Sequence, residues 1–361
     1  MEATSPITAS PITTSPITAS PITAFDGLTG QQAAKDRLVG LLRRGSPGHA
    51  HLFLGAPGLG KRAFARVFSK ALLCVGDGRP GCACIPCKLF GGGSLGDYKA
   101  VKPSGQAQKP VISVDEARRI IDWLSIRPLY SKRKVCVVEN ADSMTEQAQN
   151  CLLKTLEEPP EYGVIILTAA NQGMLLETVR SRCGVTRFSA YSDAELESIL
   201  RNSNDFPQGK EIELISRLAG GNPGYAHELG GSESFLRQRD ELIRLYCGFL
   251  DGDAKSAFLL ASFLEKNREN YAQYLGMLIF WLRDIWICSL RDASDEEAKL
   301  VNGDMADILG KYRSRFRQPA LLDCIERIDQ TYSELSTYAN YSLAINAMLF
   351  DMGDLLGLNR Q

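Results

Sequence analysis

One short run limits the fold of this chain more than any other. Gly55-Ala56-Pro57-Gly58-Leu59-Gly60-Lys61-Arg62 follows the apolar segment Leu52-Phe53-Leu54 and precedes a helical pattern. It matches the phosphate-loop pattern G-x-x-x-x-G-K-[ST] at seven of its eight positions. Such a loop needs a buried strand before it and a helix after it, because N–H groups at the helix start close around phosphate oxygens. Gly55, Gly58 and Gly60 supply the backbone freedom, and Lys61 can reach the β- and γ-phosphates. The eighth position should carry the hydroxyl that ligates Mg²⁺, and here it is Arg62. A guanidinium has five donors and no acceptor, so it cannot ligate a metal.

The flanking sequence continues the α/β theme. Gln31 to Arg43 reads as an amphipathic helix, His51 to Leu54 as a short buried strand and Lys61 to Leu73 as a helix. Val135-Cys136-Val137-Val138 and Val164-Ile165-Ile166-Leu167 are continuous apolar runs, the pattern of parallel strands buried on both faces. Helical patterns around Val114–Ile126 and Glu146–Leu156 lie between them, which predicts a parallel sheet. After Phe188 the strand signals fade. Ser192–Asn202 and Glu211–Leu218 read as short helices, Gly220-Gly221-Asn222-Pro223-Gly224 as a break, and long helices dominate from about Glu233.

Boundaries are therefore expected near 24, 188 and 234. Residues 1–24 carry Ser5-Pro6-Ile7-Thr8-Ala9, which recurs nearly unchanged from Ser10, Ser15 and Ser20. Proline at every fifth position blocks helix and central strand alike, so this segment reads as a disordered low-complexity tail. Lysine and arginine (41) balance aspartate and glutamate (42), so no global field points to nucleic acid or membrane. The most apolar stretch, Tyr274 to Leu290, is broken by Arg283 and Asp284 and places Leu275, Leu278, Leu282 and Ile285 at helical spacing. It reads as a buried helix, not a membrane span. With no basic n-region and no apolar h-region at the N-terminus, the expected location is cytoplasmic.

Four of the 10 cysteines, Cys74, Cys82, Cys84 and Cys87, surround a Gly- and Pro-rich segment. Four thiolates brought together by one loop can hold tetrahedral Zn²⁺ in a closed, structural site. Packed free thiols are the alternative, and the clustering favours zinc. Elsewhere, the strand at Val137-Val138 ends in Glu139-Asn140. Glu139 could hold Mg²⁺ as the strand-end acid of a phosphate-loop ATPase, but Asn140 stands where a second carboxylate would orient water. An amide cannot act as a general base.

Phe25-Asp26-Gly27-Leu28-Thr29-Gly30-Gln31, followed by His49-Ala50-His51-Leu52-Phe53, resembles the opening of clamp-loader AAA+ ATPases. Asn150-Cys151-Leu152-Leu153-Lys154-Thr155-Leu156-Glu157-Glu158-Pro159-Pro160 is similar to that family's most recognisable segment, and Ser181-Arg182-Cys183 to its Ser-Arg-Cys motif. Within the family the chain is most similar to the non-hydrolysing subunits of bacterial clamp loaders. The resemblance implies an AAA+ α/β domain with a zinc module over 25–188, a helical lid over 189–233 and an all-α collar for oligomerisation over 234–361.

It also implies a role. Hydrolysing gamma/tau relatives carry Lys-Thr or Lys-Ser in the loop, two adjacent acids after the strand and an arginine in the lid. This chain has Arg62, Asn140 and Gly224 at those places. The implied protein is a non-hydrolysing component of DNA polymerase III that supplies Arg182 as an arginine finger to a neighbour's ATP. Its expected partners are the gamma/tau and delta subunits and, through the complex, the sliding clamp and primed DNA. A gamma/tau-type ATPase is the alternative reading. Lys61 leaves open whether nucleotide is held at the degenerate loop.

Overall fold

A computed structural model describes residues 24–76, 81–104, 110–203, 210–230, 233–290, 300–335 and 340–358. All but the last residue of the tail expected over 1–24 lies outside them. The chain forms two compact units that divide between Tyr191 and Ser192.

The first unit is built on a five-stranded parallel sheet. Its elements run α1 (Gln32–Arg43), β1 (Ala50–Leu54), α2 (Lys61–Leu73), α3 (Ile85–Gly91), β2 (Tyr98–Val101), α4 (Val114–Ser125), β3 (Lys134–Val138), α5 (Glu146–Glu157), β4 (Gly163–Ala169), α6 (Glu177–Ser181) and β5 (Gly184–Arg187). The strand order is β2-β3-β4-β1-β5. Leu52 stands opposite Leu167 on one side and Val185 on the other, so β1 is central and its C-terminal end emerges between two neighbours. This is the AAA+ phosphate-loop arrangement expected from the sequence.

The continuous apolar runs account for the three central strands: every residue of β1, β3 and β4 is buried. Leu52, Cys136, Val138, Ile165 and Leu167 pack with Ile120 and Leu124 of α4 and with Leu152 and Leu156 of α5 in one core. Local signals start these helices. The Ser113 side chain accepts from Glu116 N at 3.3 Å at the head of α4, and Thr145 accepts from Ala148 N at 3.2 Å at the head of α5. Two polar groups also fix the turn before β3. Buried Asp97 accepts from the backbone N–H groups of Leu129, Tyr130 and Ser131 at 2.7 to 2.8 Å. Buried Lys134 donates to the carbonyls of Trp123 and Ile126. Lys134, although charged, thus serves the fold from inside.

The second unit is helical: α7 (Asp193–Arg201), α8 (Lys210–Leu218), α9 (Pro223–Gly230), α10 (Glu233–Leu250), α11 (Ala254–Lys266), α12 (Tyr271–Ser289), α13 (Ala306–Lys311), α14 (Gln318–Leu335) and α15 (Tyr341–Leu355). The segment read as a buried helix is α12, with Leu275, Leu278, Trp281, Leu282 and Ile285 all buried. Among the described residues no helix is long and apolar enough to cross a membrane. A buried polar network ties α10 and α12 to the segment before α13. Arg239 donates to both carboxylate oxygens of Asp304 at 2.8 and 2.9 Å and to Asn302 at 2.8 Å, while Asn302 donates to buried Asp284.

Candidate functional site

The loop between β1 and α2 keeps the geometry that its glycines predict. Gly58 and Gly60 both have φ +82, a left-handed conformation in which a side chain is strained. Gly55 is required for a different reason: a Cβ there would lie 2.6 Å from the Phe188 carbonyl oxygen. Tyr191 braces the loop by donating its hydroxyl to Leu59 O at 3.4 Å. Gln31, in the opening motif, exchanges hydrogen bonds of 2.5 and 3.2 Å with the Ser189 backbone.

Lys61 is buried at 7% exposure, and its Nζ donates to the loop's own carbonyls, Gly55 O at 2.5 Å and Ala56 O at 2.7 Å. Burial pushes its pKa down, and the nearby Asp142 carboxylate opposes that shift. Arg62 turns to the end of β3, where its Nε stands 3.0 Å from Glu139 Oε1. The side chain in the hydroxyl's place is therefore bound to the acid that would hold a metal. Asn140 sits at φ 51 and ψ 55, in the left-handed region that asparagine tolerates better than most residues. Its N–H donates to Thr168 Oγ1 at 3.0 Å and its carbonyl accepts from Ser143 N at 2.9 Å. Asp142, which the sequence reading did not single out, accepts from Ala170 N and Asn171 N, both at 2.9 Å.

Mg²⁺ does not fit this donor set. Residue 62 offers no lone pair, and a dication at Glu139 would lie against a guanidinium already paired there. No catalytic step can be derived through a metal at this loop.

Arg182 lies at the junction of α6 and β5. Its Nη1 donates to Thr178 O at 2.8 Å and to Ser181 Oγ at 3.3 Å, and its Nη2 pairs with Glu157 Oε1 at 2.5 Å. The other two motif residues hold it in place. Ser181 supplies an acceptor, and Cys183 packs on the core, where burial pushes its thiol up to about 12. That thiol is an anchor and not a nucleophile. Sequence reasoning missed Gln149, a buried residue of α5. It donates to Met174 O at 2.9 Å and accepts from Leu176 N at 2.8 Å, fixing the approach to α6. Its place in the segment that ends at Glu157 was the available signal.

The four cysteines converge. Cys74 follows α2, Cys84 caps α3, and Cys87 lies in the first turn of α3 beside Pro86. All four Sγ atoms lie within 4.8 Å of one another, with Cys74 at 3.6 Å from Cys82 and 3.8 Å from Cys84. A tetrahedral ion with metal–sulfur bonds of about 2.3 Å separates its thiolates by about 3.8 Å. A Cβ on Gly76 would stand 2.7 Å from Cys82 Sγ, so the turn needs glycine there. Burial pushes the Cys84 thiol up, but donors from Cys87, Val75 and Cys82 outweigh it and bring it down to about 6. The cluster can hold a metal ion.

The break at residues 220–224 leads into α9, and Gly224, near the start of that helix, has no side chain to offer a ligand.

Comparison with known proteins agrees with this geometry. Residues 30–192 match the family model described as DNA polymerase III, delta subunit, and residues 233–353 match the one described as DNA polymerase III, delta subunit, C terminal. The delta-prime subunit of Pseudomonas aeruginosa is 34% identical over 91% of this chain and 97% of its own length. That of Bacillus subtilis is 26% identical over 81% of this chain and 87% of its own. The tau subunit of Bacillus subtilis is 25% identical over 86% of this chain but 58% of its own length. Taken with both family models and the altered loop, these likenesses make the chain a member of the delta-prime family of DNA polymerase III subunits.

Proposed function

We propose that this delta-prime family member is a clamp-loader component that activates a neighbouring ATPase without hydrolysing ATP itself. The observation that carries the reading is the Arg62–Glu139 ion pair at 3.0 Å, which commits the strand-end acid to a guanidinium. With Asn140 beside it, the loop has neither a metal ligand nor a carboxylate to orient water.

The active group is Arg182. Seated beside the ATP of a gamma/tau subunit, its guanidinium would neutralise charge that builds on the transferring γ-phosphoryl, and its planar fork suits phosphate oxygens. The helical lid over 189–233 and the collar over 234–361 follow the sheet, and through the collar gamma/tau and delta assemble with this chain. The whole complex then engages the sliding clamp and primed DNA in the cytoplasm. Zinc at Cys74, Cys82, Cys84 and Cys87 joins the end of α2 to α3 as a structural clip.

The test is ATP turnover, measured for the isolated chain and for its complex with gamma/tau and delta. The isolated chain is expected to be inert, and the complex carrying Arg182→Ala is expected to lose its stimulation. Turnover by the isolated chain that disappears in Lys61→Ala would overturn the reading.

A further inference from the structure

Charge is balanced along the chain as a whole, but one corner of the second unit is strongly positive. Lys311, Arg313, Arg315 and Arg317 alternate through the end of α13 and its connection to α14, and no acid occurs between Ile308 and Leu322. The backbone that carries them is fixed. Leu309 and Tyr312 are buried, Tyr312 donates its hydroxyl to Cys247 O of α10 at 3.2 Å, and Arg315 N donates to Tyr312 O at 3.1 Å. Arg317 stands at the head of α14, where its carbonyl accepts from Leu321 N at 3.2 Å. That helix has no acid in its first turn, so the positive end of its dipole adds to the corner.

The cations are arranged around aromatic rings. The Arg315 guanidinium lies 5.8 Å from the Tyr312 ring centroid and 5.7 Å from that of Phe316, and the two rings are parallel within 7° at 6.2 Å. Arg315 also pairs with Asp251 at 2.6 Å. The nearby Asp253 is taken up by capping α11, where it accepts from Lys255 N at 3.2 Å and Ser256 N at 3.0 Å. Burial pushes the Cys247 thiol up to about 11, and Asp251 and Lys311 act on it with opposite signs, which brings Lys311 to the same corner. Lys311, Arg313 and Arg317 pair with no carboxylate among the described residues. Lys311, Arg315 and Arg317 are exposed, and Phe316 is half-buried.

Guanidinium forks take phosphate oxygens two at a time, and aromatic and guanidinium planes stack on bases. We propose that the corner between α13 and α14 is a docking surface for single-stranded nucleic acid, contacted by this chain itself. Lys311, Arg313 and Arg317 would neutralise phosphates, while Arg315 keeps its pair with Asp251 and offers a stacking face with Phe316. Three arginines among the four cations, set against an aromatic ring, suit a strand with phosphates and bases better than an acidic peptide, which has no π-face to stack. The proposal does not depend on Arg182 or on ATP, so it can fail while the reading of that residue stands.

Fluorescence anisotropy of the full-length chain with labelled oligothymidylate, without ATP or partner subunits, tests it. Binding is expected, and log K should fall with log [NaCl] at a slope of about −2 between about 50 and 200 mM, three phosphates at about −0.7 each. Combining Arg313→Gln with Arg317→Gln should weaken binding at the lower salt by about tenfold or more and bring the slope to about −0.7. Phe316→Ala should weaken binding by about tenfold with the slope kept, because stacking releases no counterion. The proposal is overturned if the wild-type chain does not bind, if its affinity is insensitive to salt, or if the double arginine variant binds as tightly as the wild type. It is also overturned if polyglutamate displaces the strand as well as unlabelled oligothymidylate does, which would make the corner a dock for an acidic protein segment. The wild-type salt slope and the competition decide the matter even if a variant misfolds.

Discussion

Arg62 pairs with Glu139 at 3.0 Å and Arg182 pairs with Glu157 at 2.5 Å, yet the two pairs differ in which partner the fold holds fixed. At the loop the acid is the anchored member. Glu139 is 12% exposed at the end of a buried strand, and Arg62, 68% exposed, reaches in to neutralise it. At the Ser-Arg-Cys motif the arginine is anchored, with Thr178 O and Ser181 Oγ as additional acceptors, and Glu157 is the more exposed partner at 47%. An anchored acid makes a closed site. An anchored arginine whose acidic partner is half in water makes a transferable one, because exposed ion pairs contribute only about 0–1 kcal/mol and a phosphoryl group can displace the carboxylate.

The largest effect that could break this contrast is at Arg182. In the assembled complex, Arg182→Ala should lower ATP turnover by about 10²-fold or more, at the scale set by arginine fingers in related enzymes. Arg182→Lys should recover little, because a point charge lacks the planar fork. Unchanged turnover in the alanine complex would remove Arg182 from the chemistry and leave the two pairs equivalent.

Metal removal separates the same two regions by stability. The cysteine cluster ties α2, which carries Arg62, to α3, whereas Arg182 follows α6. Chelation, or Cys84→Ser, should release one metal ion per chain. It should also lower the thermal midpoint by about 4–8 °C, for a loss of about 2 kcal/mol. Stimulation of the complex below that transition should persist. A chain that contains no stoichiometric metal under reducing conditions would show that the thiols merely pack.

A third effect concerns Glu157. If the carboxylate only holds Arg182 until a phosphoryl group replaces it, Glu157→Gln removes a competitor. The concentration of this chain giving half-maximal stimulation of gamma/tau should fall by about two- to fivefold, the equivalent of up to about 1 kcal/mol. The maximal rate should not change. A lower maximal rate would instead make Glu157 a positioning residue that the finger cannot do without.

How much of this was legible in the sequence follows from how each feature is encoded. The central strands were, because Val135–Val138 and Val164–Leu167 are apolar on both faces and need no partner to be recognised. The edge strands were not. Tyr98–Val101 and Gly184–Arg187 have four residues each, include Lys99 and Arg187, and are defined by pairing with β3 and β1. Helices α3 and α6 were too short to show a period. Within the site, Arg62, Asn140 and the four cysteines could each be named from local pattern, and Arg182 from the family resemblance of Ser181-Arg182-Cys183. Their partners could not, because the Arg62–Glu139 contact is created by sheet order and the Glu157–Arg182 contact by the packing of α5 on α6. Asp142 and Gln149 escaped for the same reason: their roles lie in backbone donors contributed by distant segments.

The smallest expected effect is the most severe test of the comparison. In a hydrolysing loop the strand-end acid helps to hold Mg²⁺, and its loss removes activity. Here Glu139 has no metal to hold and serves only to pair with Arg62, whose side chain is mostly exposed. Glu139→Gln should therefore change ATP turnover of the assembled complex by less than about twofold, with stability altered by no more than about 1 kcal/mol. Asn140→Asp should be equally silent in turnover, since one restored carboxylate cannot orient water for a phosphoryl group that no metal positions. Chemical denaturation of the isolated variants and ATP turnover of their complexes measure the two quantities separately. A large loss of turnover in Glu139→Gln, with stability retained, would mean that the loop takes part in hydrolysis and that Arg62 leaves Glu139 when the complex forms.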